Sequence, residues 1–330
     1  MIYDISFLIL GICFLLGGGE LLVRSSITLT RHTRIPPLII GLTVIAFGTS
    51  APEMALNVIA TLRGDSAIAF GNIIGSNIAN IGLVLGITAC LKSLTVRNSV
   101  IIREIPMMIL ATLIVIISAS DFFLTGEKTG SYDRIDGLVL LSLFCIFIYY
   151  TIIVAFKQNG NEIIKEKADH SVSSKFHELI FFNLFLAIVG VLILATGGWI
   201  TVTSAKSLAQ IFGVSETVIG LTIVAIGTSL PELITSIIAV RKGFVDLAIG
   251  NVVGSNIFNI LFVLGTCATI STVTVPKNGY IDLIVAGILS IIILPFAITH
   301  KRKIVRLEGI VLLLLYFSYI VWRMFFGGVA

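Results

Sequence analysis

Hydrophobic positions in this chain gather into long unbroken runs separated by short polar breaks. The runs cover residues 5–23, 35–61, 66–90, 98–119, 135–156, 177–203, 213–240, 245–270, 280–299 and 308–326. Crossing a bilayer as an α-helix takes about 20 such residues, whereas transmembrane strands alternate over about 10. The pattern therefore predicts an all-α polytopic membrane protein of ten spanning helices. A polar stretch at 157–176 divides it into two five-helix segments, 1–156 and 177–330.

Composition agrees. Of 330 residues, 57% are hydrophobic and 12% charged, about half the charge of a typical soluble domain. Neither a soluble globule nor a disordered chain has this balance. The first run reaches spanning length and Met1–Asp4 carries no Lys or Arg, so no cleavable signal peptide is expected. Cys13, Cys90, Cys145 and Cys267 all lie in apolar runs without metal-ligand spacing, as small buried hydrophobes would.

The net charge of +4 calls for no nucleic-acid partner, because Lys and Arg sit at span ends. Six of the 22 (Arg63, Lys128, Arg134, Lys206, Lys277 and Arg323) fall after even-numbered spans or at the C-terminal end. The rest follow odd-numbered spans, including Arg24, Arg31, Arg34 and the cluster Lys301-Arg302-Lys303. Positive-inside bias then puts both termini outside the cell membrane and the 157–176 linker in the cytoplasm. Glu20 and Arg24, four residues apart near the cytoplasmic end of the first span, read as a local ion pair.

The two segments repeat at a shift of 179. Gly41-Leu42-Thr43-Val44-Ile45-Ala46-Phe47-Gly48-Thr49-Ser50 matches Gly220 to Ser229 at seven of ten positions, and Gly71 to Asn80 matches Gly250 to Asn259 equally well. With five spans in each copy, the second must enter the membrane from the opposite side. This inverted layout is that of secondary transporters, whose sites lie near the midplane.

Each copy carries Gly-Thr-Ser-X-Pro-Glu inside an apolar run, at Gly48–Glu53 and Gly227–Glu232. Pro52 and Pro231 free the carbonyls of Gly48 and Gly227, and freed carbonyls at membrane depth must line a cavity or meet a ligand. Thr49, Glu53 and Asn57 share one helical face, as do Thr228, Glu232 and Ser236. The following spans add Ser76 and Asn80, and Ser255 and Asn259. All offer oxygen, and none is His or Cys, which selects hard cations. An intramembrane Glu costs several kcal/mol and marks an ion or proton path. Two of them make a site of charge −2, matched by one Ca2+.

These paired motifs resemble the two alpha repeats of the sodium/calcium exchanger family, within the cation/Ca2+ antiporter superfamily. The resemblance covers nearly the whole chain, at the size of prokaryotic members. It implies an antiporter exchanging Na+ for Ca2+ by alternating access, with the first and sixth spans sliding against the other eight. Gly17-Gly18-Gly19 and Gly197-Gly198 offer places for the close, smooth contact that such sliding needs. By the same resemblance Ca2+ is held by Glu53, Glu232 and the carbonyls of Thr49 and Thr228. Na+, three per Ca2+, is held by Ser50, Ser76, Ser229, Ser255, both Glu residues and the carbonyls of Ala46 and Ala225. Asn80 and Asn259 take the central polar positions. Some relatives carry Asp where this chain has Asn259, which argues against the K+-dependent branch. No cofactor is implied; the partners are the two ions and the bilayer, and a monomer is the expected form. A proton/Ca2+ antiporter is the alternative reading, and a cation channel a more distant one. An intramembrane hydrolase lacks support, since the chain has no His-Glu-X-X-His or Gly-X-Ser-X-Gly motif.

Overall fold

The computed structural model describes residues 2–120, 129–163, 174–212 and 225–326. They form long helices: α1 (Ile2–Thr33), α2 (Pro37–Leu62), α3 (Ser66–Leu91), α4 (Val100–Ala119), α5 (Arg134–Ile163) and α6 (Ser174–Ile211). Helix α7 is described in two pieces, Ala225–Thr228 and Leu230–Arg241, and is followed by α8 (Val245–Ile270), α9 (Gly279–Arg302) and α10 (Arg306–Phe326). Nine helices among the described residues are long and apolar enough to span a bilayer. The seventh predicted run, 213–240, begins outside the described residues, as does the centre of the 157–176 linker.

Helix ends differ from the hydropathy edges where the helix outruns the bilayer. Helix α1 continues to Thr33 through Ser25, Ser26 and Thr30, all buried against neighbouring helices. Helix α5 runs to Ile163 and α6 starts at Ser174, so both reach into the stretch expected as linker. Polarity marks where apolar surroundings stop, not where backbone hydrogen bonding stops.

The helices that carry the repeated motifs occupy the centre. Helices α3 and α8 are buried along most of their length, while α1, α5, α6 and α10 turn large apolar side chains outward, as lipid contact requires. Cys267 is buried as expected, but Cys13 and Cys145 lie on exposed outer faces, where an apolar thiol meets the bilayer instead of the core. Helices α2 and α8 approach through glycine: a Cβ on Gly41 would lie 2.6 Å from the Leu247 carbonyl, and one on Gly250 2.6 Å from that of Leu38. The turns leaving α2 and α7 match. Gly64 (φ 86°) and Gly243 (φ 83°) adopt the left-handed conformation. Asp65 and Phe244 then donate to the carbonyls of Ala60 and Ala239, closing each helix with a glycine cap.

Helices α1 and α6 lie against one another through four glycines. A Cβ on Gly11 or Gly197 would strike the other's carbonyl at 3.0 and 2.9 Å, and one on Gly18 or Gly190 would do so at 2.8 and 3.0 Å. Of the expected contact glycines, Gly18 and Gly197 are used, Gly19 faces Ile234 of α7, and Gly17 meets nothing within 4 Å. Glu20 does pair with Arg24, and the Lys242 ammonium also reaches it at 2.8 Å, joining α1 to the turn after α7.

Two short antiparallel ribbons complete the fold. Strand β1 (Leu94–Thr95) pairs with β4 (Lys303–Ile304), and β2 (Ser131–Tyr132) with β3 (Val273–Thr274). Each ribbon takes one strand from the first half of the chain and one from the second.

Candidate ion-binding site

Helices α2, α3, α7 and α8 bring most of the candidate residues into one buried cluster. Glu53 and Glu232 are 3% and 0% exposed. Ser76 donates to Glu53 Oε1 at 2.6 Å, and Asn259 Nδ2 donates to Glu53 Oε2 at 3.1 Å. Ser50 donates to Glu232 Oε1 at 3.0 Å. Each acid thus takes a hydrogen bond from the opposite half of the chain. No ion pair among the described residues involves either carboxylate.

The local backbone differs between the halves. Helix α2 passes Pro52 without a break, whereas α7 interrupts at Ser229 (φ −90°, ψ 4°), with Pro231 near the start of the next piece. Helix α3 turns π-helical over Asn80–Leu85 and α8 over Phe258–Leu264, at equivalent places in the repeat. A π-helical turn widens the helix and recurs at functional sites. Here it coincides with Asn80 and Asn259.

Several polar atoms in the cluster have no hydrogen-bond partner among the described residues. They are Glu232 Oε2, Ser229 Oγ, Asn259 Oδ1 and both polar atoms of Asn80. An unpaired buried polar atom costs about 1–3 kcal/mol. The free oxygens of Glu232 and Asn259, residues that carry or bond the two carboxylates, and of Ser229, in the same motif as Glu232, fit an oxygen-ligated cation. Ser255 donates to the Ala46 carbonyl at 3.4 Å, placing both within the same cluster. The Thr49 hydroxyl lies 3.3 Å from that carbonyl and 3.2 Å from Asn251 Oδ1. Thr228 is half-buried, and Ala225 begins the first described piece of α7. Asn57 donates to Asn72 at 3.0 Å, and Ser236 accepts from Asn251 at 2.9 Å.

A cleft of about 620 Å³ leads away from Glu53 and Thr228, past Pro52, Pro231 and Trp199, to Arg63 at the end of α2. Its walls are mostly apolar, with polar groups at the Glu53–Thr228 end and at the Arg63–Asp65 end. Asn72 and Asn251 were not singled out as site residues from the sequence. Their signal was the Gly-Asn pair that both copies share at 71–72 and 250–251.

The family model described as "Sodium/calcium exchanger protein" matches residues 3–153 and 182–325. The chain belongs to the sodium/calcium exchanger family. It is therefore a multi-pass membrane cation/Ca2+ exchanger, a transporter by family. The sodium/calcium exchanger MaX1 of Methanosarcina acetivorans is 31% identical over 339 residues, covering 95% of this chain and 96% of that protein. Inner membrane protein YrbG of Escherichia coli (strain K12) is 35% identical over 283 residues, covering 85% and 84%. The solved structure of the sodium-calcium exchanger NCX_Mj, soaked with Na+ and Sr2+, superposes with a TM-score of 0.81 at 31% identity, over 97% of this exchanger and 98% of that chain.

Proposed function

We propose that this exchanger moves Ca2+ against Na+ by alternating access at one site shared by two inverted halves. The observation that carries the reading is the crossed bonding of the acids: Ser50 holds Glu232, and Asn259 holds Glu53. A site assembled from both halves is exposed to one side or the other as α1 and α6 slide against the remaining helices. Glu53 and Glu232, with the carbonyls of Thr49 and Thr228, form the Ca2+ set. Ser50, Ser76, Ser229, Ser255 and the carbonyls of Ala46 and Ala225 extend it for Na+, with Asn80 and Asn259 between. MaX1 and NCX_Mj, similar over nearly the full chain, are named for this exchange.

Charge sets the coupling. One Ca2+ cancels the two carboxylates, whereas three Na+ leave about +1, so exchange carries net charge across the membrane. The test is Ca2+ uptake into proteoliposomes loaded with Na+, without a pH gradient and with a K+ diffusion potential of either sign. Uptake will require internal Na+, speed up when the interior is positive, and persist with a protonophore at clamped potential. Uptake driven by a pH gradient without Na+ would make the protein a proton/Ca2+ antiporter. Passive Ca2+ flow without a counter-ion would make it a channel.

With positive-inside orientation the termini lie outside the cell membrane, and the cleft at Arg63 opens outward. Asn98 and Lys277 are exposed and equivalent under the 179-residue shift. In a cysteine-free background, Asn98→Cys will react with an impermeant maleimide only from the cytoplasm and Lys277→Cys only from outside. Labelling from the same side would sink the inverted arrangement.

A further inference from the structure

The side chain of Asn251, 1% exposed on α8, carries no assigned role in the ion sites above. Its Oδ1 accepts from the Thr49 hydroxyl at 3.2 Å. Its Nδ2 donates to Ser236 Oγ at 2.9 Å and Thr235 Oγ1 at 3.1 Å, and lies 3.3 Å from the Glu232 carbonyl. One amide therefore ties α2 of the first half to α7 of the second, directly behind Thr49 and Glu232.

The repeat equivalent is built differently. Asn72 is half-buried and accepts one hydrogen bond, from Asn57 Nδ2 at 3.0 Å. The cause is local sequence: α7 presents Thr235 and Ser236 where α2 presents Leu56 and Asn57. The fold offers both halves the same position, yet only Asn251 bridges the two motif helices.

We propose that Asn251 is a positioning residue for the divalent ion, holding Thr49 and Glu232 at the separation from which both reach one Ca2+. The assignment rests on the Ca2+ reading of the site. Ca2+ takes 6–8 oxygens at about 2.3–2.6 Å, so displacing one backbone segment removes ligands from a demanding shell. Groups that orient ligands in this way are worth about 10–100-fold in metal affinity. Asn251 makes no hydrogen bond to Ser50, Ser76, Ser229 or Ser255, the hydroxyls that extend the site for Na+, so its contact with the Na+ set is through Glu232, which serves both ions. The Thr49 hydroxyl also lies 3.0 Å from the Ile45 carbonyl in its own helix, so without the amide it stays bonded within α2, and the Ser50–Glu232 bond is left to join the two motif helices.

The test compares wild type, Asn251→Ala, Asn251→Ser and Asn72→Ala in proteoliposomes, with Ca2+ titrated by calorimetry on the same purified proteins. Asn251→Ala will raise half-saturating Ca2+ about tenfold and weaken calorimetric Ca2+ binding to match, with a smaller rise in half-saturating Na+, since Glu232 serves both ions and Thr49 only Ca2+. Asn251→Ser keeps a smaller polar group and will fall between. Asn72→Ala will shift Ca2+ by less than about threefold. A fall in maximal rate with both half-saturation values unchanged, or an equal shift for both ions, overturns the assignment in favour of a structural role. A wild type that neither binds nor moves Ca2+ overturns the functional reading and this assignment with it. A normal wild type beside unaltered Ca2+ half-saturation in Asn251→Ala and Asn251→Ser overturns the assignment alone.

Discussion

Glu53→Gln and Glu232→Gln will each abolish Ca2+ exchange while leaving the protein inserted and monodisperse. Glutamine keeps the size of the side chain and an oxygen that Ser76 or Ser50 can still bond. What it removes is one charge. At an effective dielectric of about 20, a pair of unit charges 4 Å apart is worth about 4 kcal/mol, roughly a thousandfold in affinity, and a divalent ion feels twice that attraction. The remaining carboxylate leaves Ca2+ in the site with an uncompensated positive charge. Size-exclusion profiles and Ca2+ flux on the same preparations check the prediction. Near-normal exchange in either variant would refute a shared site.

A second large effect is expected where α1 meets α6. Gly18→Val places a Cβ 2.7 Å from the Leu194 nitrogen and 2.8 Å from the Gly190 carbonyl. Both obstacles are backbone, which cannot step aside as a side-chain tip can, and overpacking of this kind costs about 1–3 kcal/mol or more. Exchange will fall at least tenfold. Calorimetric Ca2+ binding will hold, because neither α1 nor α6 supplies a proposed ligand. Gly17→Val makes the same change in helix propensity one residue away, where nothing lies within 4 Å, and will exchange normally. Equal loss in both variants would trace the effect to the helix itself and not to its contact.

That pair of neighbouring glycines shows the limit of reading a chain by its pattern. Gly17-Gly18-Gly19 marks a place of close approach, but rotation about the helix decides which glycine faces α6, and rotation depends on packing against residues about 170 positions away. The long runs were legible because lipid forces every span to satisfy its own backbone, and Glu53 and Glu232 because a carboxylate in such a run needs a reason. Repetition at 179 made Ser50, Ser76, Ser229 and Ser255 stand out, and Ser50 and Ser76 do bond the acids. The extensions of α1 and α6 were hidden, since hydropathy follows the bilayer. The π-helical turns at Asn80 and Phe258 were hidden too, since they come from how helices pack. Lys242 was counted only as a loop charge, because its partner Glu20 lies 222 residues away.

The two ribbons bear on how the molecule is made. Strand β1 ends at Thr95, and its partner β4 begins at Lys303, about 200 residues later. At about 5–20 residues per second, ribosomes take about 10–40 s to cover that distance. Strand β2 likewise waits for β3. Through that interval the newborn first half holds two unpaired strand edges at its surface, and among the described residues neither half can close a ribbon of its own. The loop between α9 and α10 is therefore the clasp: until Lys303–Ile304 emerges, β1 has no partner to close on.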